Sequence, residues 1–398
     1  MRRTSVFIAV LAVVAGGLAV GQAATAAPAP GGDGLEVYVG DLNTQQLQKV
    51  VDAGVDRADL ATGKGAGGTT RVEVVISERQ AAKLRSNGVD LKVKKVKGHT
   101  ASEEAARLAA AGPTVFRPYS GAGGLLEELT QTAAANPGLA KLVTIGTTVQ
   151  GKPIVAVKVT KDAGLVTDGS RPSVLYSGTQ HAREWITPEM VRRLMHYVID
   201  GYGQNAETTK MLNTTELWFL PVANPDGYDY TFVGDRLWRK NLRDNNNDGQ
   251  IAPGDGVDLN RNLATKWGYD NEGSSPDPSS DTYRGPSPGS EPESKALDQL
   301  FQRVRFTELL NYHSAAELLL FGVGWQVSTP SPDDVIAEAM AGDDANPAVP
   351  GYDPDISAEL YTTNGETDGH VTDTYGTMAF TPEMSTCQTV SALSLIHI

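Results

Sequence analysis

The 398-residue sequence predicts an α/β fold, a mixed sheet flanked by helices, preceded by a small α+β unit. Three observations carry this. From residue 113 onward, short apolar runs rich in β-formers alternate with helical periodicities, the pattern of a parallel or mixed sheet covered by helices. Residues 35–96 repeat that alternation on a smaller scale. The polar stretches between 224 and 292 are longer than plain connections and are expected to carry function.

Taken in order, the chain opens with Arg2 and Arg3 before an apolar run at 6–20, short for a membrane span. Ala24-Thr25-Ala26 then offers a small-x-small cleavage pattern, so 1–26 reads as a signal peptide and the protein as secreted; a membrane anchor is the competing reading. A proline and glycine linker occupies 28–34. Residues 35–39 alternate as a strand, and 44–53 place Leu47, Val50 and Val51 at helical spacing. A glycine-rich loop (63–68), a strand (72–76), a helix (78–87) closed by Gly88 and a strand (91–96) follow. This unit lacks histidine and cysteine and holds no constellation fit for chemistry. With a connecting helix at 101–111 it makes a domain over 27–112. Pro113 opens a larger domain over 113–390. Its strands are expected at 142–145 and 154–159 about a turn at Gly151, then at 172–176, 216–222, 306–312 and 378–381, with a helix at 191–199.

The net charge of −14 argues against nucleic acid or an anionic membrane as partner, since both are polyanions. Beyond the leader no run is apolar enough to cross a bilayer. The single cysteine, Cys387, is unusual for an exported chain.

Chemistry concentrates at 175–190, LYSGTQHAREWITPEM. A buried strand runs into a polar turn bearing His181 and Glu184, and a helix opens with Thr187 as capping side chain, Pro188 and Glu189. Ligands bind at such strand-to-helix handovers in open α/β sheets. The three-residue step lets an imidazole and a carboxylate converge on one ion, and a distant strand-end histidine and a water would complete a tetrahedron around zinc. Of six histidines, His99 lies in the interdomain linker and His397 in the tail. His196 reads as a partly buried helix residue, and His370, in a glycine-containing loop, as functional or merely solvated. His181 and His313 both follow predicted strands.

Five ordered motifs give the chain its resemblance to the zinc metallocarboxypeptidases: His181-Ala-Arg-Glu184, Leu237-Trp-Arg239-Lys, Val257-Asp-Leu-Asn260-Arg261-Asn, Asn311-Tyr-His313-Ser and Phe380-Thr-Pro-Glu383-Met. The likeness spans roughly residues 113–387. It implies zinc held by His181, Glu184 and His313, the two-histidine, one-glutamate set known for that family, with one position open for water. It implies Glu383 as general base, Arg239 as the group that holds the scissile carbonyl as it becomes an oxyanion, and Asn260 and Arg261 as the grip on a free terminal carboxylate. A guanidinium fork matches a carboxylate with two parallel hydrogen bonds, which makes the expected enzyme an exopeptidase. The mobile tyrosine of the family corresponds to Tyr361, with Tyr375 as the alternative. The terminal-side-chain pocket is left open: Asp373 facing it would accept lysine or arginine, Val371 or Thr372 apolar residues. Residues 27–112 resemble, more loosely, an activation propeptide.

Separately, Asp244, Asn246, Asp248 and Asp255 stand at positions one, three, five and twelve of a pattern with Gly249 at six, close to a calcium loop; an Asx-rich turn is the alternative. The chain ends 15 residues past Glu383, and 391–398 has no counterpart in the family, so the catalytic domain is expected to be incomplete and 391–398 a non-native tail. The expected activity is a secreted zinc carboxypeptidase acting on peptides and proteins with a free C-terminus, with one zinc ion, calcium as a second candidate ion, and neither nucleic acid nor, once the signal is removed, membrane as partner. A related zinc amidohydrolase acting on acyl-amino acids or cell-wall peptides, a non-catalytic peptide-binding homologue, and a structural calcium-bound domain are the alternatives.

Overall fold

The computed structural model describes residues 34–55, 60–96, 98–110, 115–327, 331 and 333–384. The signal peptide, Pro113, Cys387, His397 and the 391–398 tail lie outside them.

The small unit contains β1 (Leu35–Leu42), α1 (Thr44–Asp52), β2 (Ala61–Lys64), β3 (Thr70–Ser77), α2 (Glu78–Ser86) and β4 (Lys92–Val93). This βαββαβ order builds an antiparallel sheet arranged β2-β3-β1-β4, the ferredoxin-like arrangement. Both helices start at capping boxes, Asn43 with Gln46 and Ser77 with Gln80, which satisfy orphan amides at each N-terminus. Period-two alternation divides the sheet's faces. Tyr38, Leu42, Val72, Val74 and Ile76 pack under the two helices with Val50, Ala81 and Leu84. Leu35, Val37 and Val75 face the other way, onto the larger domain. The expected glycine-rich loop at 63–68 begins as β2, because Gly63 and Lys64 pair with Arg71 and Thr70.

The connecting helix is α3 (Ala101–Ala110). Then come α4 (Leu125–Ala135), β5 (Ala140–Thr147), β6 (Pro153–Val159), β7 (Ser173–Gly178), α5 (Ile186–Gly201), α6 (Ala206–Thr214), β8 (Glu216–Leu220), α7 (Pro225–Val233) and α8 (Pro292–Val304). The chain continues through β9 (Glu308–Ser314), β10 (Leu318–Phe321), α9 (Asp334–Ala341), the short pair β11 (Gly342–Asp343) and β12 (Asn346–Pro347), β13 (Asp353–Ile356), α10 (Ser357–Leu360), α11 (Thr367–Tyr375) and β14 (Met378–Met384). Eight strands form one mixed sheet ordered β13-β10-β14-β9-β7-β8-β6-β5. Its centre is parallel: β7 pairs in parallel with both β8 and β9, and β9 with β14.

Alternation along the central strands sends successive side chains into two cores. Trp218 and Leu220 of β8 join α8 residues Leu297, Leu300 and Phe301 on one face. Leu217 and Phe219 join Val191, Met195 and Ile199 of α5 on the other. A buried side chain of this size contributes about 1.5–3 kcal/mol, so the two cores fix the register of the strands that end at the site.

The strands expected at 142–145, 154–159, 172–176 and 216–222 match β5 to β8 within a few residues. Three local readings change. The polar stretch after residue 224 contains α7, capped by Asn224 with Pro225 in its first turn. Thr187 lies inside the first turn of α5, whose N-cap is Trp185; its hydroxyl donates to the Glu184 carbonyl and accepts the Thr179 amide, bracing the turn rather than capping the helix. His370 belongs to helix α11, where it is buried against Asp298. His196 is half-buried in α5, 2.6 Å from Glu128. Among the described residues, no helix is long and apolar enough to cross a membrane.

Candidate active site

The site stands at the carboxyl ends of the central strands, where an open α/β sheet leaves a crevice. Three residues beyond β7, His181 follows a turn in which Thr179 takes φ 55°. His313 is the penultimate residue of β9, the neighbour of β7. β14 pairs with β9 so that Glu383 stands opposite His313. Strand register alone thus places an acid beside a histidine that is distant in sequence.

The rings of His181 and His313 lie 4.6 Å apart, with their Nδ1 atoms 3.0 Å from one another. Glu184 Oε1 is 2.7 Å from the Nδ1 of His181, and Oε2 is 3.3 Å from that of His313. All three residues are buried, and among the described residues theirs is the one group of histidine, cysteine and acid side chains whose ligand atoms converge this way. The two Nδ1 atoms face each other and the same carboxylate, and Glu184 Oε2 has no hydrogen-bond partner. A tetrahedral zinc with bonds of about 2.0–2.1 Å needs donors about 3.3 Å apart, so this donor set fits zinc in type and spacing.

The electrostatics agree. Burial and the nearby Arg239 push His181 down, yet Glu184 and Asp258 raise it to about 9. Burial would raise the Glu184 carboxyl, but the two histidines hold it well below the usual carboxylate range. Both shifts reflect the attraction between the imidazoles and the carboxylate beside them.

Asp258, quoted within a motif but given no role by the sequence, links the parts. Its Oδ1 lies 3.3 Å from His181 Nε2, and its Oδ2 accepts hydrogen bonds from Arg239 Nε and Nη2 at 3.1 and 3.0 Å. Burial opposes its charge, but Arg239 and His181 outweigh burial and hold its carboxyl well below the usual range. A carboxylate on the far nitrogen of a ligating histidine fixes tautomer and ring orientation. The only sequence signal for it was its place two residues before Asn260.

Asn260 and Arg261 form a single 3₁₀ turn that Asp258 caps. Asn260 Oδ1 accepts the Thr367 amide, tying this turn to the start of α11. Gly365 packs on the Arg261 backbone: a Cβ there would stand 2.4 Å from the Arg261 carbonyl oxygen, and its φ of 69° favours glycine independently. The Arg261 guanidinium carbon lies 6.0 Å from the Tyr361 ring.

One cavity gathers His181, Glu184, His313, Arg239, Asn260, Arg261, Tyr361 and Glu383. Tyr375 sits elsewhere, stacked near Phe301 with its hydroxyl on Asp298, so of the two tyrosines weighed Tyr361 is the one at the cavity. The three residues weighed for the side-chain pocket are all absent from its lining: Asp373 is exposed, Thr372 donates to the Thr377 carbonyl, and Val371 is packed in the core. The lining acids on that segment are Glu366 and Asp368. The loop over 244–255 closes on itself. Asp244 accepts the amides of Asp248 and Gly249, Asp248 that of Gln250, and Asp255 those of Asn245 and Ala252, while Asn246 accepts the Asp248 amide. These are the bonds of an Asx-rich turn.

The small domain meets the larger one beside this cavity. Leu35, Val37, Val75 and Ala101 pack with Ala182, Leu237 and Trp238, the neighbours of His181 and Arg239. The Leu35 amide donates to Asp235 at 2.9 Å, and Ser280 donates to the Gly54 carbonyl at 2.5 Å.

A family model described as zinc carboxypeptidase matches residues 125–395. A metallocarboxypeptidase A-like protein of Trichophyton verrucosum is 34% identical over 284 residues, 69% of this chain and 64% of that protein. Carboxypeptidase A2 of Rattus norvegicus is 32% identical over 216 residues, 54% of this chain and 49% of the rat protein. The chain thus spans between about half and just under two thirds of these relatives' lengths. The crystal structure of carboxypeptidase A from Helicoverpa armigera superposes with a TM-score of 0.67 at 25% identity, covering 89% of each chain.

Proposed function

The chain belongs to the zinc carboxypeptidase family, and from that premise we propose that it is a secreted zinc-dependent exopeptidase hydrolysing the C-terminal peptide bond of peptides and proteins. The observation that carries this reading is the meeting, in one cavity, of a zinc-competent donor set with a buried acid and two buried arginines.

His181, Glu184 and His313 would hold the zinc, which when bound supplies Lewis acidity and a water acidic enough to act near neutral pH. Glu383 takes the proton of the attacking water and delivers it to the leaving amine. Arg239, steadied by Asp258, donates to the carbonyl oxygen as negative charge develops on it. Arg261 and Asn260 bind the free terminal carboxylate, and Tyr361 covers the bound end. The buried Arg261 at the cavity wall supports action at chain ends, since a guanidinium fork matches a carboxylate with two parallel hydrogen bonds.

Arg261→Met is expected to lower kcat/KM for substrates with a free C-terminus by roughly 30- to 150-fold, about 2–3 kcal/mol, mainly through KM. Steady-state kinetics on matched acid and amide peptides tests the assignment. Equal cleavage of amidated and free ends would refute exopeptidase action.

Residues 27–112 are read as a propeptide that docks beside the catalytic centre, a role supported by the apolar seam on either side of His181 and Arg239. Calcium in the 244–255 loop is a separate proposal: titrating calcium into chelator-treated protein should raise Tm, and a flat melting curve would leave the turn to its own amides.

A further inference from the structure

One buried amide joins the two halves of the site. Gln180 stands immediately before His181, in a stretch whose sequence gave it no role, and is 2% exposed. Burying an amide is costly unless both of its ends find partners. Gln180 finds them on two other elements. Its Nε2 lies 2.8 Å, and its Oε1 3.1 Å, from the hydroxyl oxygen of Thr367, the first residue of α11. Oε1 also accepts from Asn311 Nδ2 at 3.0 Å, and Asn311 lies on β9 shortly before His313. Thr367 and Asn311 are buried as well, so water does not compete for these bonds. The Gln180 main chain is held too, its carbonyl accepting from Nδ2 of Asn224, the cap of α7, at 3.1 Å.

Thr367 carries the constraint onward. Its amide donates to Asn260 Oδ1 at 2.9 Å. With that oxygen engaged, Asn260 offers a carboxylate its NH2 group, the end that can donate. We propose that Gln180 is a positioning residue that fixes the distance between the metal centre and the grip on the terminal carboxylate. This rests on the exopeptidase reading above and deepens it, by assigning the part that sets how far from the chain end the site cuts.

The need for such a part is geometric. An exopeptidase holds the terminal carboxylate and the scissile carbonyl at once, a single residue apart. Strand pairing fixes β7 against β9, and with them His181 against His313. The Asn260 turn and α11 are helical and stand outside that ladder. A misplacement of about 1 Å between the two grips can cost about 100-fold in rate. Apolar packing could fill the space that Gln180 occupies, but it is non-directional and sets no distance. A side chain of fixed length, hydrogen-bonded to both β9 and α11, sets one.

The test uses the zinc-loaded full chain. Gln180→Met keeps the length and bulk of the side chain and removes its bonds. It is expected to lower kcat/KM on free-acid peptides about 10- to 100-fold, with zinc content unchanged. Two small thiols, their dissociation constants read by calorimetry, separate a lost link from general damage. Mercaptoethanol can engage the zinc alone, whereas 3-mercaptopropanoate adds a carboxylate for Asn260 and Arg261. In Gln180→Met the affinity for mercaptoethanol should hold, and the advantage of 3-mercaptopropanoate over it should shrink by about fivefold or more. Thr367→Val should do the same, and Thr367→Ser, which keeps the hydroxyl, should recover most of that loss. Combining Gln180→Met with Thr367→Val should be no worse than either change alone, because both remove one link. An undiminished carboxylate advantage in Gln180→Met overturns the proposal, and so does an equal loss of affinity for both thiols. Should Gln180→Met fail to fold, Thr367→Val and Thr367→Ser decide by the same ratio. Failure of the unaltered chain to cleave any free C-terminus would overturn the exopeptidase reading instead, and the thiol ratio, which needs no turnover, would still judge Gln180.

Discussion

Glu383→Gln is expected to lower kcat by about 10²–10⁴-fold while zinc content stays at one ion per chain. Glu383 is the penultimate residue of β14, its Cα opposite that of His313, and is buried. Glutamine has nearly the same shape and keeps one carbonyl oxygen, so the strand and the three metal-binding side chains stay where they are. It cannot accept a proton at neutral pH, so the attacking water loses its base and the leaving amine its acid in a single change. Metal analysis, product binding and kcat measured on the same preparation separate this from misfolding. Near-native turnover with full zinc would remove Glu383 from the proposed chemistry.

That prediction starts from a residue legible in the sequence, and the reason is physical. His181 and Glu184 are close along the chain, so their convergence needs only one turn. His313 and Glu383 follow short apolar runs, at 309–310 and 378–380, that read as strands, and parallel pairing of β9 with β14 brings them together. Residues whose surroundings arise from long-range closure were not readable in this way. Asp258 acquires meaning only when the 236–243 segment carries Arg239 onto one of its oxygens and the β7 turn carries His181 near the other. The cavity-lining acids Glu366 and Asp368 were not singled out because 366–375, with Gly369, His370 and several threonines, has little helical periodicity; tertiary packing of Val371 and the Glu366 cap make it helix α11. Gly63 in β2 and Gly227 in α7 hid those elements for the same reason: local propensity was weak and pairing or capping decided.

Asp258→Asn should weaken zinc binding about 10–100-fold and also leave a defect in turnover that added zinc does not repair. Two functions meet on this one carboxylate. Toward His181 it is an acceptor 3.3 Å from Nε2, fixing the ring so that Nδ1 faces Glu184 and His313. Toward Arg239 it is a counter-charge with two charge-assisted hydrogen bonds, in a place where both residues are buried. An asparagine amide can offer its oxygen to only one of these partners and must turn its NH2 group toward the other. If the oxygen serves Arg239, the NH2 faces the imidazole and disfavours the tautomer that binds metal through Nδ1. If it serves His181, the guanidinium meets a donor. In both cases Arg239 loses its buried counter-charge, a change of about 3–5 kcal/mol against the folded site when one partner of a buried pair is removed. Competitive chelator titration reads the first effect, and kcat/KM at saturating zinc reads the second. Full recovery of kcat/KM at saturating zinc would confine Asp258 to metal binding. Unchanged zinc affinity together with unchanged turnover would show that neither His181 nor Arg239 depends on it, and the electrostatic account of the centre would fail with it.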